Sequence, residues 1–454
     1  MESEYNFTKE EWQSCLKVLD ILKDNPFENP DNRRFGTLVT KIHKKARKIN
    51  RTQTYSTKKA SDLGILKESE ISKNALANHT VYEEGNEKKE QRFSQLNIPK
   101  NCYCCNTSYM WAHSFYNRLC PTCADINYRN RFKRVDLTNR NVILTGGRVK
   151  IGYATALKVL RSNANLTVTT RFPASALSQF KEEKDYDVWK ERLTVYGLDL
   201  RNLKAVETFV MFYKEEHGAL DILINNAAQT IKYTTDYYTP LILKEQQTLE
   251  QLKHNPYLIE NSTQVIENVP VLTDAQHNRY YAVNRFGQPM DNRTKTSWNS
   301  TLEEVDMNEL LEVNLINQIS PYYLIKEFTP LFRASEFEKK FIVNVTSSEG
   351  QFSYSNKSIF HPHTNMTKAA LNMLTRTSAS EYEAYGIYMN AIDVGWVSTG
   401  AQEELRQKQF EEGYIPPLDP VDGASRILVP IAEALEDKSN PVGKLIKNYV
   451  IEEW

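Results

Sequence analysis

The sequence lacks three features that would assign a protein to a class directly. Its 57 lysine and arginine residues balance 57 aspartate and glutamate residues, so no overall charge attracts nucleic acid or an acidic membrane surface. It has no apolar run near the roughly 18–20 residues that a membrane-spanning helix needs. The acidic first residues contain no hydrophobic signal core. We therefore expect a cytoplasmic protein whose partners include neither a membrane nor nucleic acid.

The chain of 454 residues is longer than one domain usually is, and its composition changes twice along its length. Residues 1–95 are polar and charged, with helical stretches near the start, and are predicted to form a helical extension and a polar linker. Residues 96–134 contain most of the cysteines and are predicted to form a small separate module. Residues 135–454 alternate strand-like apolar runs with helical stretches and form the main domain, with an insertion at about 229–309.

Two helices are predicted in the first region from short sequence patterns. Thr8-Lys9-Glu10-Glu11 has the Ser/Thr-x-x-Glu form of a capping box, and apolar residues follow it at helical spacing, which predicts a helix over residues 9–23. A second helix is predicted over about residues 34–50. From residue 51 onward the periodic apolar pattern is lost, so we expect the linker to begin there.

Five of the six cysteines lie close together in the second region. Four of them form two Cys-x2-Cys pairs, and this spacing is typical of a four-cysteine zinc site. Four thiolates would leave Zn²⁺ no open position, so the metal is predicted to be structural. A reactive thiol pair and an iron–sulfur centre are the alternatives, and a ligand role for Cys104 stays open. The predicted ligands are Cys102, Cys105, Cys120 and Cys123.

A glycine-containing turn lies between the apolar run Val142–Leu144 and a helical stretch that begins near Tyr153. The turn, Thr145–Gly152, reads Thr-Gly-Gly-Arg-Val-Lys-Ile-Gly. Glycines let the backbone approach a pyrophosphate, and the N-terminus of the following helix attracts the negative charge. Such turns are common, so the loop alone does not establish a nucleotide site.

Further segments lie where a doubly wound sheet would need them, namely Asp199-Leu200, Asn225–Ala228, Asn314, Val343–Gly350, Lys368 and Val394–Thr399. Together with the loop, they resemble the short-chain dehydrogenase/reductase family over about residues 136–454. The resemblance implies an α/β fold, a Rossmann-like doubly wound parallel sheet with helices on both faces. It also implies a small-molecule carbonyl or alcohol substrate and a homo-oligomer.

The resemblance assigns the contacts to a dinucleotide. A dinucleotide fold that prefers NAD(H) usually carries an acidic residue at the end of its second strand, where this chain has Arg171. A guanidinium group can bind a 2′-phosphate there, so NADP(H) is predicted in preference to NAD(H). Lys150 departs from the family, which usually has glycine at that position. The predicted contact residues are Thr145, Gly146, Gly147, Arg148, Lys150, Ile151, Gly152, Arg171, Asp199, Asn225, Ala227, Lys368 and Thr399.

The catalytic group implied by the resemblance is incomplete. Ser347 would polarise a carbonyl, Lys368 would hold the nicotinamide ribose, and Asn314 would anchor a proton relay. The family has its proton-donating tyrosine four residues before the lysine, where this chain has Thr364, and an aliphatic hydroxyl is a far weaker acid than a phenol. Imidazole titrates near neutrality and could take over this role. The candidate substitutes are His363, His361 and Tyr354.

Two functions are compatible with this pattern. The retained serine, lysine and asparagine favour an NADP(H)-dependent oxidoreductase with an atypical proton donor. The missing tyrosine favours a non-catalytic NADP(H)-binding sensor, or a scaffold that presents the cysteine module or the insertion to a partner. The insertion at about 229–309, with a predicted helix at 244–253, emerges where ligands bind in this fold. It is predicted to cap the substrate side, with an oligomer contact as the alternative.

Overall fold

The structure is a computed structural model that describes residues 6–77, 82–83, 87, 90–261, 283, 287–291, 293–354, 357–398 and 403–454. The contacts within it divide the chain into two compact units, residues 1–64 and 65–454. No helix in the described ranges is both long enough and apolar enough to cross a membrane.

The first unit contains helix α1, Lys9–Leu22, and most of helix α2, Asn32–Lys67. The predicted capping box is confirmed, because the Thr8 hydroxyl accepts the N–H of Glu11 and the Glu11 carboxylate accepts the N–H of Thr8. The prediction of a linker from residue 51 is wrong, since α2 continues to its end at Lys67. This stretch contains no proline, and a helix can be polar all round when it lies in solvent.

The second unit begins with a small module. It comprises helix α3 (Glu70–Leu76), an antiparallel hairpin of β1 (Phe93–Asn101) and β2 (Ser108–His113), and helix α4 (Pro121–Phe132). Its core is aromatic, with buried Phe115, Tyr116 and Tyr128. Proline suits the first turn of α4, where the backbone N–H has no partner within the helix.

The rest of the second unit is built on a nine-stranded sheet. Its strands are β3 (Asn141–Thr145), β4 (Asn165–Thr170), β5 (Leu193–Gly197), β6 (Ile222–Asn225), β7 (Leu258–Ile259), β8 (Lys340–Thr346), β9 (Ile387–Asp393), β10 (Leu445–Lys447) and β11 (Val450–Glu452). Their order across the sheet is β11-β10-β9-β8-β6-β3-β4-β5-β7, and all neighbours are parallel except β10 and β11. The predicted doubly wound parallel sheet is therefore confirmed.

Helices cover both faces of this sheet, which explains why its central strands are buried along nearly their whole length. The helices that follow the module along the chain are α5 (Lys150–Arg161), α6 (Pro173–Lys181), α7 (Tyr186–Trp189), α8 (Leu203–Glu216), α9 (Thr235–Gln251), α10 (Met307–Asn314), α11 (Ser320–Ala334), α12 (Pro362–Glu383), α13 (Glu403–Glu411) and α14 (Pro420–Leu435). Along β3, Val142 and Leu144 belong to a core shared with α5, α6 and α14. Ile143 belongs to a second core, shared with α8 and α11 on the other face.

The insertion contributes α9 and the short edge strand β7, which pairs with β5. The helix predicted at 244–253 corresponds to the second half of α9, which begins at Thr235. Phe172, just beyond β4, packs against Tyr237 and Leu241 of α9. The insertion thus covers the carboxyl end of β4, on the side of the sheet where folds of this type bind ligands.

Candidate functional site

The loop between β3 and α5 is closely packed around its glycines. Gly146 has a positive φ of 73°, and a Cβ added to it would lie 2.9 Å from Ala227 Cα. A Cβ added to Gly152 would lie 2.0 Å from the carbonyl oxygen of Gly146. Larger residues would push the first turn of α5 away from the loop. The glycines therefore keep the helix N-terminus, with its partial positive charge, close to the loop backbone.

Thr145 and Asn226 fasten this loop to the end of β6. Thr145 Oγ1 accepts the backbone N–H groups of Asn226 and Ala227 at 3.1 and 3.0 Å. The Asn226 side-chain amide donates to the carbonyl oxygens of Thr145 and Gly146 at 3.0 and 3.1 Å. The sequence assignment missed Asn226, although its position directly after an apolar strand that leads to the crevice was an available signal.

Lys150 adopts the left-handed conformation that glycine would take at this point of the loop, with a φ of 54°. Its N–H donates to the Tyr82 hydroxyl at 3.1 Å, and the Tyr82 ring centre lies 4.7 Å from that of Tyr153. A residue from between α3 and β1 thus bonds to the first turn of α5. Tyr82 was not identified from the sequence, because the polar segment around it has no periodic pattern.

Two arginines lie at the end of β4. Arg171 Cζ is 4.7 Å from the centre of the Tyr238 ring, and its Nη2 donates to the Tyr238 hydroxyl at 3.4 Å. Arg148, from the loop, lies 5.2 Å from the centre of the Phe172 ring. Burial, followed by the charge of Arg171, lowers the pKa of Arg148. An anion bound here would relieve this repulsion, so the position suits a phosphate or a carboxylate.

A cavity of about 100 Å³ opens beside Arg171, at the carboxyl ends of β4 and β5. Its walls include Arg171, Asp199, Tyr238 and Glu245. Tyr238 and Glu245 both belong to α9, so the insertion forms one side of the cavity. Neither was identified from the sequence, because no motif in the insertion marks a binding residue.

Asp199 and Asn225, two of the predicted contact residues, are engaged with other side chains. Asp199 Oδ2 lies 2.6 Å from Arg201 Nη2. Burial acts to raise the pKa of Asp199, but the hydrogen bonds and charge of Arg201 outweigh it and the pKa is lowered. Asn225 is buried, and its amide donates to Asn344 Oδ1 at 2.8 Å. Both side chains hold the strand ends in place, and their direct contact with a dinucleotide stays a prediction.

Lys368 is buried near the carboxyl end of β8. Its Nζ donates to the carbonyl oxygen of Val345 at 2.8 Å. Burial lowers its pKa to about 8, although the charges of Glu349 and Asp393 oppose the shift. A lysine with this pKa loses its proton at a lower pH than an ordinary lysine does, and it is therefore better suited to act as a general acid or base.

The two adjacent serines after β8 have different surroundings. Ser348 Oγ donates to Asp393 Oδ2 at 3.2 Å and accepts from Lys447 Nζ at 3.0 Å. Lys447 Nζ also lies 3.3 Å from Asp393 Oδ2. Ser347 is half-buried, and no side-chain hydrogen bond joins it to the described residues. The hydroxyl of Ser347, the serine assigned from the sequence, is therefore not engaged by the described side chains, and its catalytic role stays a prediction.

The two candidate histidines contact residues other than Ser347 and Lys368. His363 Nε2 lies 3.2 Å from Glu309 Oε1 of α10. Five residues separate His363 from Lys368, which places them roughly 140° apart around α12. His361 stacks on Trp298 with ring centres 4.3 Å apart, and burial lowers its pKa.

Thr364 and Tyr354 differ sharply in burial. Thr364 lies one helical turn before Lys368, is 1% exposed, and its hydroxyl has no hydrogen-bond partner among the described residues. Tyr354 is 41% exposed, with its ring centre 5.4 Å from Lys447 Nζ and 6.0 Å from Lys357 Nζ. Of the two, Thr364 shares the helix face of Lys368.

Asn314 ends α10 immediately before a π-helical turn, Leu315–Ile319, that leads into α11. Its Nδ2 donates to the carbonyl oxygen of Leu310 at 2.7 Å, and its Oδ1 accepts a hydrogen bond from Gln318. These bonds hold the side chain within its own helix. Thr399, the predicted carboxamide contact, lies outside the described residues.

Four thiols converge at the hairpin of β1 and β2 and the start of α4. The Sγ atoms of the four predicted ligands all lie within 4.8 Å of one another. The Sγ atoms of Cys105 and Cys120 are 3.7 Å apart. Tetrahedral zinc with Zn–S bonds of about 2.3 Å separates its sulfur ligands by about 3.8 Å, so this donor set fits zinc. Cys104 lies outside the group, and its Sγ accepts from Arg426 Nη2 at 3.6 Å.

The cysteine module docks on the main domain through buried polar contacts. Arg131 Nη1 of α4 lies 2.7 Å from Asp419 Oδ1 and 2.9 Å from Asp422 Oδ1, at the start of α14. The Tyr103 hydroxyl, between two cysteines, accepts the N–H of Trp396 at 2.8 Å. The second contact places the module beside the segment that follows β9.

Two family profiles match the second unit. The profile described as short chain dehydrogenase matches residues 140–252. The profile described as enoyl-(acyl carrier protein) reductase matches residues 292–415. The stretch between the two matches falls in the insertion.

Similar proteins extend over most of the chain. An uncharacterized protein of Acanthamoeba polyphaga mimivirus is 30% identical over 346 residues, which are 73% of this chain and 71% of that protein. The (−)-isopiperitenone reductase of Mentha piperita is 25% identical, over 67% of this chain and 95% of its own length. The carbonyl reductase (NADPH) 3 of Rattus norvegicus is 22% identical, over 70% of this chain and 99% of its own length.

Solved structures also align with the chain. A short-chain dehydrogenase/reductase of Caenorhabditis elegans, solved with cofactor, gives a TM-score of 0.47 at 18% identity and covers 68% of this chain and 94% of that one. A metagenomic short-chain oxidoreductase in complex with NADP gives a TM-score of 0.44 at 16% identity and covers 68% and 98% of the two chains.

Proposed function

The chain belongs to the short-chain dehydrogenase/reductase family, and we propose that it is an NADP(H)-dependent oxidoreductase that acts on a carbonyl or alcohol substrate. One observation carries the proposal: a dinucleotide-type loop, a pair of arginines, and the side chains of Ser347 and Lys368 all lie at the carboxyl ends of the same sheet. Two relatives that match over nearly their whole length are named as reductases, and the name of the rat protein includes NADPH.

The residues present fit a dinucleotide that carries a 2′-phosphate. The close-packed loop and the N-terminus of α5 suit a pyrophosphate, and the cavity at the ends of β4 and β5 suits an adenosine. Arg148 and Arg171 suit the 2′-phosphate, because two guanidinium groups that repel each other gain from an anion between them. When bound, NADP(H) would supply or accept the hydride.

In this proposal, Ser347 binds the substrate oxygen and Lys368 provides the proton that the missing tyrosine would provide. Lys368 has a pKa of about 8, whereas the hydroxyl of Thr364 is far too weak an acid. His363 is engaged with Glu309. During reduction, Lys368 Nζ donates a proton to the substrate oxygen and becomes a neutral amine, which water reprotonates.

Calorimetric titration of the full chain with NADPH and with NADH tests the cofactor assignment. We expect NADPH to bind at least about tenfold more tightly than NADH, and Arg171→Asp to reduce or reverse that ratio. An unchanged ratio in the variant would remove Arg171 from the site. Failure of the wild-type protein to bind either dinucleotide would contradict the proposal as a whole.

A screen of carbonyl substrates with NADPH tests catalysis. We expect Lys368→Met to lower kcat at least about 100-fold. The wild-type kcat for reduction should be constant below pH 8 and fall as Lys368 loses its proton above that pH, and His363→Gln should leave this profile unchanged. A profile that shifts in His363→Gln would assign the proton to the histidine. Tight NADPH binding without turnover of any substrate would favour the sensor function.

We also propose that the four-cysteine cluster holds one structural Zn²⁺. The mutual sulfur distances support this assignment, and four thiolate ligands would leave the ion no position for a substrate. The metal would fix the backbone around Tyr103, whose hydroxyl bonds to Trp396 after β9. Zinc would thereby stabilise one side of the crevice without taking part in the reaction.

A further inference from the structure

The inserted helix α9 brings a carboxylate to the end of β4. Glu245 is buried, with 5% of its surface exposed. Its Oε1 accepts the N–H of Ala174 at 2.6 Å, and its Oε2 accepts the N–H of Ser175 at 2.8 Å. These amides belong to the first turn of α6, which starts two residues after Arg171. The carboxylate therefore occupies an anion-binding helix N-terminus next to the residue that would select the cofactor.

The charged groups around Glu245 would also suit an anionic group of a bound ligand. Burial raises the pKa of Glu245, although the hydrogen bonds from α6 and the charge of Arg148 oppose the shift. No carboxylate of the described residues forms an ion pair with Arg148, which lies close to Arg171. The cavity of about 100 Å³ borders both Glu245 and Arg171. A 2′-phosphate would bring about 1.5–2 negative charges to a position where Glu245 brings one at most.

We propose that Glu245 limits the preference of this protein for NADP(H) over NAD(H): its carboxylate occupies the 2′-phosphate subsite in the free protein, and NADP(H) binds by displacing it. This inference rests on the proposed function, because it concerns the same dinucleotide. NAD(H) has a hydroxyl group in place of the phosphate and leaves Glu245 on α6. Displacement breaks both hydrogen bonds to α6, while Tyr237 and Leu241 of α9 still pack against Phe172. Binding of NADP(H) is therefore coupled to movement of the Glu245 side chain.

Titration calorimetry of the full chain with NADPH and NADH tests this inference. Glu245→Gln removes the charge at nearly constant size, and Glu245→Ala also removes the hydrogen-bonding group. We expect each variant to bind NADPH about tenfold more tightly than the wild type, and to bind NADH within about twofold of it. Glu250→Gln is the matched control, because it removes the same charge from an exposed position of α9 and should change neither affinity.

Two smaller probes give a readout that depends on neither turnover nor nicotinamide. Adenosine 2′,5′-bisphosphate differs from adenosine 5′-monophosphate by the 2′-phosphate alone. We expect the Glu245 variants to gain affinity for the bisphosphate and to keep the wild-type affinity for the monophosphate. Glu245→Gln retains an acceptor for the α6 amides, so it is the deciding variant if Glu245→Ala does not fold.

The possible outcomes separate this inference from the proposed function. Unchanged or weaker NADPH binding by the Glu245 variants, with NADH binding retained, overturns the inference and leaves the proposed function standing. Equal gains for NADPH and NADH also overturn it, because α9 would then obstruct the adenosine site in general. No binding of any probe by the wild type or its variants defeats the proposed function and the inference together.

Discussion

At the scale of single residues, the most informative feature of the site is the buried ammonium group of Lys368. Burial lowers the pKa of Lys368 from 10.5 to about 8. Between these two pH values the unfolded chain holds a proton that the folded chain has released, so stability increases with pH across the interval. Below pH 8 both states are protonated, and the folded state bears the full cost of a buried ammonium group, about 3 kcal/mol for a shift of this size.

Replacing Lys368 with methionine should remove this pH dependence. At pH 7.5 the variant should be more stable than the wild type by up to about 3 kcal/mol, and the difference should vanish towards pH 10.5. Urea unfolding at pH 7.5, 9 and 10.5 measures it, with the exposed Lys326→Met as the control. A stability difference that stays constant over this range would show that Lys368 carries no such shift.

Residues of the site differ in how far the sequence could identify them. Ser347 and Lys368 were assigned from the resemblance to the family, and the structure brings both to the end of β8. Asn226 follows an apolar strand, which marks its position, but its hydrogen bonds to the loop backbone were visible only in the structure. Glu245 bonds to an amide 71 positions earlier in the chain, and its insertion carries no motif. Long-range contacts of this kind arise only from the packed fold.

The cysteine module is the element whose integrity depends most on one interaction. Its hairpin and α4 supply two thiols each, and a bound ion would link them in addition to the buried aromatic core. We expect one zinc per chain by metal analysis, and the double change Cys102→Ser with Cys105→Ser should abolish it. Loss of the metal should lower the free energy of unfolding by more than about 4 kcal/mol, since metal loss is among the largest single effects known.

The neighbouring thiol provides the control for this prediction. The Cys104 thiol interacts with those of Cys102 and Cys123 but is not one of the four converging sulfurs, so Cys104→Ser should keep one zinc per chain. Loss of zinc in Cys104→Ser would give that residue a ligand role. A metal-free but folded wild-type protein would contradict the structural zinc altogether.

Individual elements were predictable where a local signal fixed them. The capping box at Thr8 correctly set the start of α1, because its hydrogen bonds join residues three apart. The end of α2 was missed, because an exposed helix needs no apolar stripe and the exposed residues 51–61 offer none. Periodicity therefore detects a helix by its buried face and fails where the helix lies in solvent.

For the whole molecule, the order of segments along the chain was more informative than any single motif. Apolar strands that alternate with helices permit few parallel topologies, and the ordered segments that resemble the family implied the doubly wound one, which the structure has. The sequence did not indicate that the module would be fixed to α14 by a buried cluster, since Arg131 and Asp419 lie 288 positions apart. A homo-oligomer and a cytoplasmic location stay predictions.

The cluster of Arg131, Asp419 and Asp422 should contribute strongly to the stability of the contact between the module and the main domain. Arg131 is 1% exposed, and its loss would leave Asp419 and Asp422 buried without their cation. Arg131→Met should therefore lower the free energy of unfolding by about 3–5 kcal/mol. Arg129→Met is the matched control in the same helix: its partner is Asp125, both side chains are largely exposed, and the change should cost less than about 1 kcal/mol.

The pH dependence of this loss gives a second test of the cluster. Burial, followed by the charge of Asp419, raises the pKa of Asp422 to about 6, and Arg131 opposes that shift. Removing Arg131 should raise the pKa further, so the folded variant would hold its proton more tightly than the unfolded chain. The contribution of this bound proton to the free energy of unfolding is lost as pH rises through the pKa of Asp422 in the folded state. We therefore expect Arg131→Met to lose more free energy of unfolding, relative to the wild type, at pH 7.5 than at pH 5. An equal loss at both pH values would mean that solvent, rather than Arg131, compensates the charges of the two carboxylates.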